Sequence, residues 1–312
     1  MSATLAIVIV NWNSGVQLRD CLASVNVSAP RLPAACGLQD TVVVDNGSCD
    51  GSCDGLAVQH GRLKVIRNDD NRGFAAACNQ GAAGLKSDLI LFLNPDTRLF
   101  DNSLAVPLAH LAEPIHDRTG IVGIQIVDET NLVERTCARF PTARHFAFQA
   151  LAIDRVWPAV GHTMREWDHR DSRPVDQVIG AYFLIRRTLF EQLGGFDERF
   201  FVYFEEVDLA LRAKQAGWRS MYFADAQVFH KGGGTSDQIR ARRLFYSLRS
   251  RLLYGRKHFS LPQRIALVLV TALLEPLSRA LHLCAGRRWR EIGHVAHAYM
   301  LLAVDRLGML RQ

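Results

Sequence analysis

Followed by its apolar and polar positions, the chain opens on a continuous hydrophobic run, Leu5-Ala6-Ile7-Val8-Ile9-Val10. With no polar residue inside it, the run predicts a strand buried on both faces. Leu18, Leu22 and Val25 then recur at helical spacing, with Asn13 or Ser14 placed to cap that helix. Thr41-Val42-Val43-Val44 predicts a second buried strand ending at Asp45, and Lys64-Val65-Ile66 a short third one. Residues 74–85 are Ala-rich and helical, and Leu89-Ile90-Leu91-Phe92-Leu93 gives a fourth strand ending at Asn94-Pro95-Asp96. Strands separated by helical stretches predict βαβ units and a mainly parallel sheet. Ligands of such sheets bind beyond the carboxyl ends of the strands, where Asp45 and Asp96 stand.

Over residues 113–178 the periodicity weakens, and this stretch reads as a mixed insert. The pattern returns at Ile179–Ile185, a strand-like run containing Gly180-Ala181. Thr188 with Glu191 forms a capping box for a short helix stopped by Gly194-Gly195. Glu205 to Gln215 predicts a helix ended by Gly217, Met221-Tyr222-Phe223 a further strand, and His230 precedes Lys231-Gly232-Gly233-Gly234-Thr235. Residues 237–312 are helical throughout. Their longest apolar stretch, Ile265 to Leu274, is followed by Glu275-Pro276, too short and too soon interrupted for a simple bilayer span. The expected division is an α/β domain over 1–236 and a helical C-terminal extension over 237–312.

Charge sharpens that division. The chain of 312 residues carries a net charge of +6. Residues 240–312 hold 14 basic and 3 acidic side chains, a balance of +11, so the remainder stands at −5. A basic tail of this kind suits an anionic partner, such as a membrane surface or a phospholipid-like substrate, and no nucleic-acid recognition motif accompanies it. An apolar share of 48% fits a globular chain and excludes disorder as the default. The seven cysteines are scattered; Cys49 and Cys53 lack a second pair to complete a zinc site, which predicts reduced thiols in a cytoplasmic setting. Met1–Val10 lacks a basic n-region and a cleavage site and is expected to be a strand rather than a signal peptide.

Five places carry chemistry. Asp45, followed by Asn46-Gly47-Ser48, can accept hydrogen bonds from a base or ribose, or simply close an Asx-turn. Gly73, in Asn71-Arg72-Gly73-Phe74, opens a small-residue helix whose N-terminal amides would attract phosphate. Asp96 can hold a divalent metal that bridges a diphosphate, because the phosphates supply most of the ligands. Glu205, Glu206 and Asp208 lie at a helix start among Phe200, Phe201, Tyr203 and Phe204, and an apolar wall raises a carboxylate's pKa as a general base requires. Asp208 is also spaced to pair with Arg212. His230 is a candidate metal ligand.

Their order is informative: Ile-Val-Asn-Trp-Asn at 9–13, Val-Asp-Asn-Gly-Ser at 44–48, Asn-Arg-Gly-Phe at 71–74, Leu-Asn-Pro-Asp at 93–96, Gly-Gly-Phe-Asp-Glu at 194–198 and Phe-Glu-Glu-Val-Asp-Leu at 204–209, closed by His230. The series resembles the family 2 glycosyltransferases of GT-A fold, and among them the rhamnosyltransferase-like branch, over about residues 5–235. The resemblance implies a nucleotide-sugar donor site at Asn11, Asp45, Asn71, Gly73 and Asn94, with Asp45 on the base. It implies a Mg²⁺ or Mn²⁺ ion on Asp96 and His230, Glu206 as catalytic base, and Glu205, Asp208 and Gly180 toward the sugars or acceptor. Asn94 replaces the first acid of the family's Asp-x-Asp motif, and Glu206 stands where Asp is commoner. The implied reaction is inverting transfer, with dTDP-rhamnose the favoured donor and a glycan or lipid-linked acceptor of cell-surface polysaccharide synthesis. Arg240, Arg242, Arg243, Arg249, Arg251, Arg256 and Lys257 could meet anionic headgroups or a lipid pyrophosphate, giving peripheral membrane contact. A helical cap or a homodimer interface is the other use of the same tail. A nucleotidyltransferase of the same fold would need a Gly-rich, Arg-containing loop after the first strand, which Asn11–Val16 lacks. A non-catalytic binding module would need a defective acid cluster.

Overall fold

The computed structural model describes residues 3–56, 63–232 and 240–309, so Gly233, Gly234, Thr235 and the expected boundary at 236/237 lie outside the described residues. Among the described residues nine strands form one sheet: β1 (Ala3–Asn11), β2 (Cys36–Asn46), β3 (Leu63–Asn68), β4 (Leu89–Leu93), β5 (Thr97–Leu99), β6 (Thr119–Val127), β7 (Arg173–Val175), β8 (Tyr182–Arg186) and β9 (Arg219–His230). The order is β3-β2-β1-β4-β8-β6-β9, and β7 and β5 share the outer edge of β9. β3, β2, β1 and β4 run parallel, β8 reverses, and β6 with β9 is parallel again. The helices are α1 (Gln17–Ser28), α2 (Phe74–Ala82), α3 (Asn102–Leu111), α4 (Ala143–Ala150), α5 (Ile153–Val156), α6 (Arg187–Gln192), α7 (Glu205–Gln215), α8 (Arg240–His258), α9 (Leu261–Leu269), α10 (Glu275–Ala285) and α11 (Trp289–Met309).

The uninterrupted apolar run of β1 is explained by its two partners. Leu5, Ile7 and Ile9 face the cluster containing Leu18, Cys21, Leu22 and Val25 of α1. Ala6, Val8 and Val10 face the cluster containing Ala75, Ala77 and Cys78 of α2. With successive side chains on opposite faces, a strand covered on both sides has no polar position to offer.

Four expectations change. The capping box at Thr188 does not form: Arg186 is the N-cap of α6 without a side-chain cap, and Glu191 instead pairs with Arg187 at 2.6 Å, one helical turn away. Neither Asn13 nor Ser14 caps α1, which starts after Val16; Asn13 Oδ1 accepts from Cys49 N–H of the neighbouring loop, and the Ser14 hydroxyl donates to Asn11 Oδ1 at the end of β1. The weakly periodic stretch contains β6, buried along its whole length between β8 and β9. Its signal is broken by Gly120 and Gly123, where an added Cβ would lie 2.3 Å from Leu189 and 2.6 Å from Val178. Finally, the apolar tail stretch is not interrupted at Glu275-Pro276. A π turn over Val270–Leu274 joins α9 to α10, giving one helix from Leu261 to Ala285 that is long and apolar enough to cross a membrane. Pro276 falls in the first turn of α10, directly after the π turn, a position where proline is tolerated.

Candidate active site

A cleft of about 640 Å³ opens at the carboxyl ends of β1, β4 and β9. Asn71, Asn94, Asp96, Gly180, Glu205, Glu206 and His230 all line it. These residues are far apart in sequence, and the sheet topology gathers them. Thr97 pairs with His230 across the β5–β9 ladder, and Lys231 N–H donates to the Asp96 carbonyl at 3.1 Å. That ladder sets His230 Nε2 3.3 Å from Asp96 Oδ1. His230 is 9% exposed, and its Nδ1 is buried without a partner among the described residues. An imidazole beside a carboxylate, with a ring nitrogen left unsatisfied, fits a divalent cation as first ligands, with room for phosphate oxygens.

Facing this pair are the acids of α7. They are presented by a backbone turn in which Tyr203 and Phe204 both hold positive φ, 68° and 69°. Such conformations cost roughly 1–3 kcal/mol each for side chains of this size, and they persist where the surroundings enforce them. The enforcing contact is visible. Phe74 N–H donates to the Phe201 carbonyl at 2.6 Å, and a Cβ on Gly73 would sit 2.6 Å from that same oxygen. Gly73 therefore permits the turn to dock on α2, and the first amide of that helix is spent on Phe201 rather than on phosphate, correcting the sequence expectation. Asn46 fixes the other side of this junction: its Nδ2 donates to Asn71 Oδ1 at 2.9 Å and to the Gly73 carbonyl, and its Oδ1 accepts from Arg72 N–H.

Glu205 and Glu206 each keep one buried oxygen without a partner among the described residues. Burial pushes both carboxyls up, Glu205 further because the charge of Glu206 adds to it. Backbone N–H groups of Glu206, Val207 and Phe204 act against the shift at Glu206. Both carboxyls therefore hold their protons to higher pH than an exposed glutamate does.

Three expected site residues are placed elsewhere. Asn11 is fully buried, and its amide donates to Ser48, Ser52 and Cys53, knitting the end of β1 to the following loop. Asp45, beside it in register, is 5% exposed; it accepts from Ser48 N–H at 3.1 Å and faces Arg67 at 3.4 Å, so its neighbour Asn46 rather than Asp45 lines the cleft. Asp208 is fully buried, away from the cleft, between Arg212, Lys257 and His258, each at 2.7 Å. It clamps α8 to α7, with its carboxylate taken up by these three side chains. Sequence reasoning also missed the part of α8 in the cleft. Arg242, Arg243 and Tyr246 line it, and Tyr246 stacks on Phe201 at 4.7 Å. The charge of the tail was legible; its reach back into the site was not, because the intervening segment carries no directional signal.

The sheet, the cleft at its strand ends and the acid-bearing helix define a nucleotide-sugar transferase of GT-A architecture. The family model "Glycosyltransferase like family 2" matches residues 3–251, and the chain belongs to that family. It is 30% identical over 244 residues to an N-acetylglucosaminyl-diphospho-decaprenol L-rhamnosyltransferase of Mycobacterium tuberculosis, covering 74% of this chain and 76% of that one. It is 25% identical to the rhamnosyltransferase WbbL of Escherichia coli over 54% of this chain and 61% of that one. In fold it is similar to GalNAc-T7, solved with UDP, GalNAc and Mn²⁺, with a TM-score of 0.55 and 19% identity over 82% of this chain and 50% of that one. A Pyrobaculum calidifontis mannosyltransferase solved with GDP-Man and Mn²⁺ gives a TM-score of 0.55 and 17% identity over 98% of this chain and 80% of that one.

Proposed function

We propose that the chain is a metal-dependent, inverting glycosyltransferase that moves a deoxyhexose, rhamnose from dTDP-rhamnose, onto a hydroxyl of a lipid-linked glycan. The convergence of the Asp96–His230 pair and the Glu205–Glu206 pair across one cleft carries this reading. Asp96 and His230 would hold Mg²⁺ or Mn²⁺, which when bound offsets charge on the leaving diphosphate. Asn46, Asn71 and Asn94 offer neutral hydrogen-bonding groups along the donor side. Gly180 leaves the floor open, since a Cβ there meets nothing within 4 Å. Glu206 takes the proton of the attacking acceptor hydroxyl. The donor choice rests on the names of the relatives. With a panel of nucleotide sugars and Mn²⁺, release of nucleoside diphosphate is expected with dTDP-rhamnose, lost with chelator and lost in Asp96→Ala. A signal only with UDP- or GDP-sugars overturns the donor; metal-independent release overturns the cation.

A lipid-linked acceptor is supported by the tail. Leu261, Ile265, Leu269, Leu273, Leu277 and Leu281 recur every four positions along the joined α9–α10 helix and are 51–68% exposed. The other face is held to the protein: Glu275 forms a buried ion pair with Arg251 of α8, and Ser278 bonds the Ala150 carbonyl of α4. A helix with one side docked and an apolar stripe about 30 Å long on the other suits lying in a bilayer interface more than crossing it. Arg264, Arg287 and Arg288 flank the stripe. The expected result is flotation of the full chain with anionic liposomes, abolished by Leu269→Glu together with Leu273→Glu while the melting temperature is kept. Flotation unaffected by the two substitutions removes the stripe from the acceptor argument.

A further inference from the structure

A second group of side chains able to bind a metal lies outside the cleft, at the end of α3 and against Phe223 of β9. His110 is in the last turn of α3, Glu113 follows it, and His116 ends a short 3-10 turn over Pro114–His116. One ligand atom from each lies within 4.8 Å of the others. Asp225, in the bulge of β9, places Oδ2 2.7 Å from His110 Nε2. An imidazole that donates Nε2–H there keeps its lone pair on Nδ1. That Nδ1 lies 3.3 Å from Glu113 Oε1, so a lone pair there would face a carboxylate unless a second ring proton or a cation stands between them. His116 is oriented in the same way. Its Nδ1 is 3.2 Å from Thr119 Oγ1, on a buried threonine, which leaves Nε2 as its second donor. The Phe223 ring packs against both imidazoles, at 4.4 Å from His110 and 5.2 Å from His116.

We propose that His110, Glu113 and His116 form a second divalent-metal site that prefers Zn²⁺. Two imidazoles and one carboxylate make a three-ligand set of the kind zinc takes with a water in the fourth position. Asp225 and Thr119 hold the ring tautomers from behind. This chemistry differs from that of the cleft pair, where one carboxylate, one imidazole and diphosphate oxygens suit a harder ion. Through the His110–Asp225 and His116–Thr119 contacts the ion would brace the end of α3 against the bulge of β9 and the start of β6, β9 being the strand whose last residue is His230. Its role is to fix that strand, five positions before the residue at the cleft.

The test is zinc titration of the metal-stripped full chain against a chelating indicator, with melting temperature as second readout. One equivalent is expected to bind ahead of the indicator and raise the melting temperature. It should survive in Asp96→Ala and vanish in His116→Ala and in Glu113→Gln, whose exposed side chain can change without disturbing the core. The competing arrangement is an imidazolium of His110 between Asp225 and Glu113. No tight equivalent in the unsubstituted chain, or an equivalent lost in Asp96→Ala and kept in Glu113→Gln, overturns the proposal. Because binding is read without turnover, failure here leaves the glycosyl-transfer reading standing.

Discussion

Glu206→Gln is expected to lower kcat by roughly 10²–10⁴-fold, the usual contribution of a positioned general base, with donor affinity unchanged. Gln keeps the size of the side chain and its place at the start of α7 but cannot accept a proton. The environment also sets the pH dependence. Burial raises both carboxyls of the pair, so the base is protonated, and inactive, at pH values where an exposed glutamate has already ionised. Activity should therefore rise with pH through a limb lying above the ordinary glutamate value of about 4.3. Glu206→Gln should abolish that limb, and Glu205→Gln should leave it in place, because burial rather than the charge of Glu205 raises Glu206. Steady-state rates across pH, with equilibrium binding of the donor to each variant, check both points. Near-normal turnover in Glu206→Gln sinks the assignment of the base.

The sheet was legible because double-faced burial writes itself as runs such as Leu5–Val10 and Leu89–Leu93, with chemistry at their ends. The acid cluster was legible because three carboxylates among four aromatic residues exceed what a helix start requires. Other features depend on partners remote in sequence. Asn11 and Asp45 stand at strand ends as expected, yet their polar groups are consumed by Ser48, Ser52 and Arg67, and nothing local tells a ligand-facing amide from one that ties a loop. Glycines give another case. Gly73 was read as an opening for phosphate, but its missing Cβ makes room for the Phe201 carbonyl, a contact set by a turn more than a hundred residues later. The tail misled in a third way: an ion pair buried inside it, Arg251–Glu275, and a π turn turned an apparent interruption into a continuous helix. The same acid that seemed to end the apolar stretch anchors its hidden face.

Asp208 separates structural from substrate-binding acids, and its replacement should have the largest effect on stability. Asp208→Ala removes the one carboxylate that accepts from Arg212, Lys257 and His258, and among the described residues Lys257 alone of the three has a second acid, Asp197. Breaking a buried charge cluster from one side costs roughly 3–5 kcal/mol, because the partners stay buried without compensation. Burial alone would push the Asp208 carboxyl up, but His258, Lys257 and Arg212 outweigh it and hold it below the usual range. A depressed folded-state pKa means that the clamp's contribution is complete above the unfolded value of about 3.9 and is lost only as pH falls through the lower folded one. At neutral pH, then, the full deficit should appear as a lower melting temperature in Asp208→Ala, together with faster hydrogen exchange in α8. Acidification should narrow the gap between the two proteins. Since α8 carries Arg242, Arg243 and Tyr246 into the cleft, a loosened helix should also raise KM more than it lowers kcat. If instead Asp208→Ala melts like the unsubstituted chain and loses kcat, the carboxylate is reaching substrate through an opening of α8, and the clamp gives way to the sugar-binding role that its position in the motif implies.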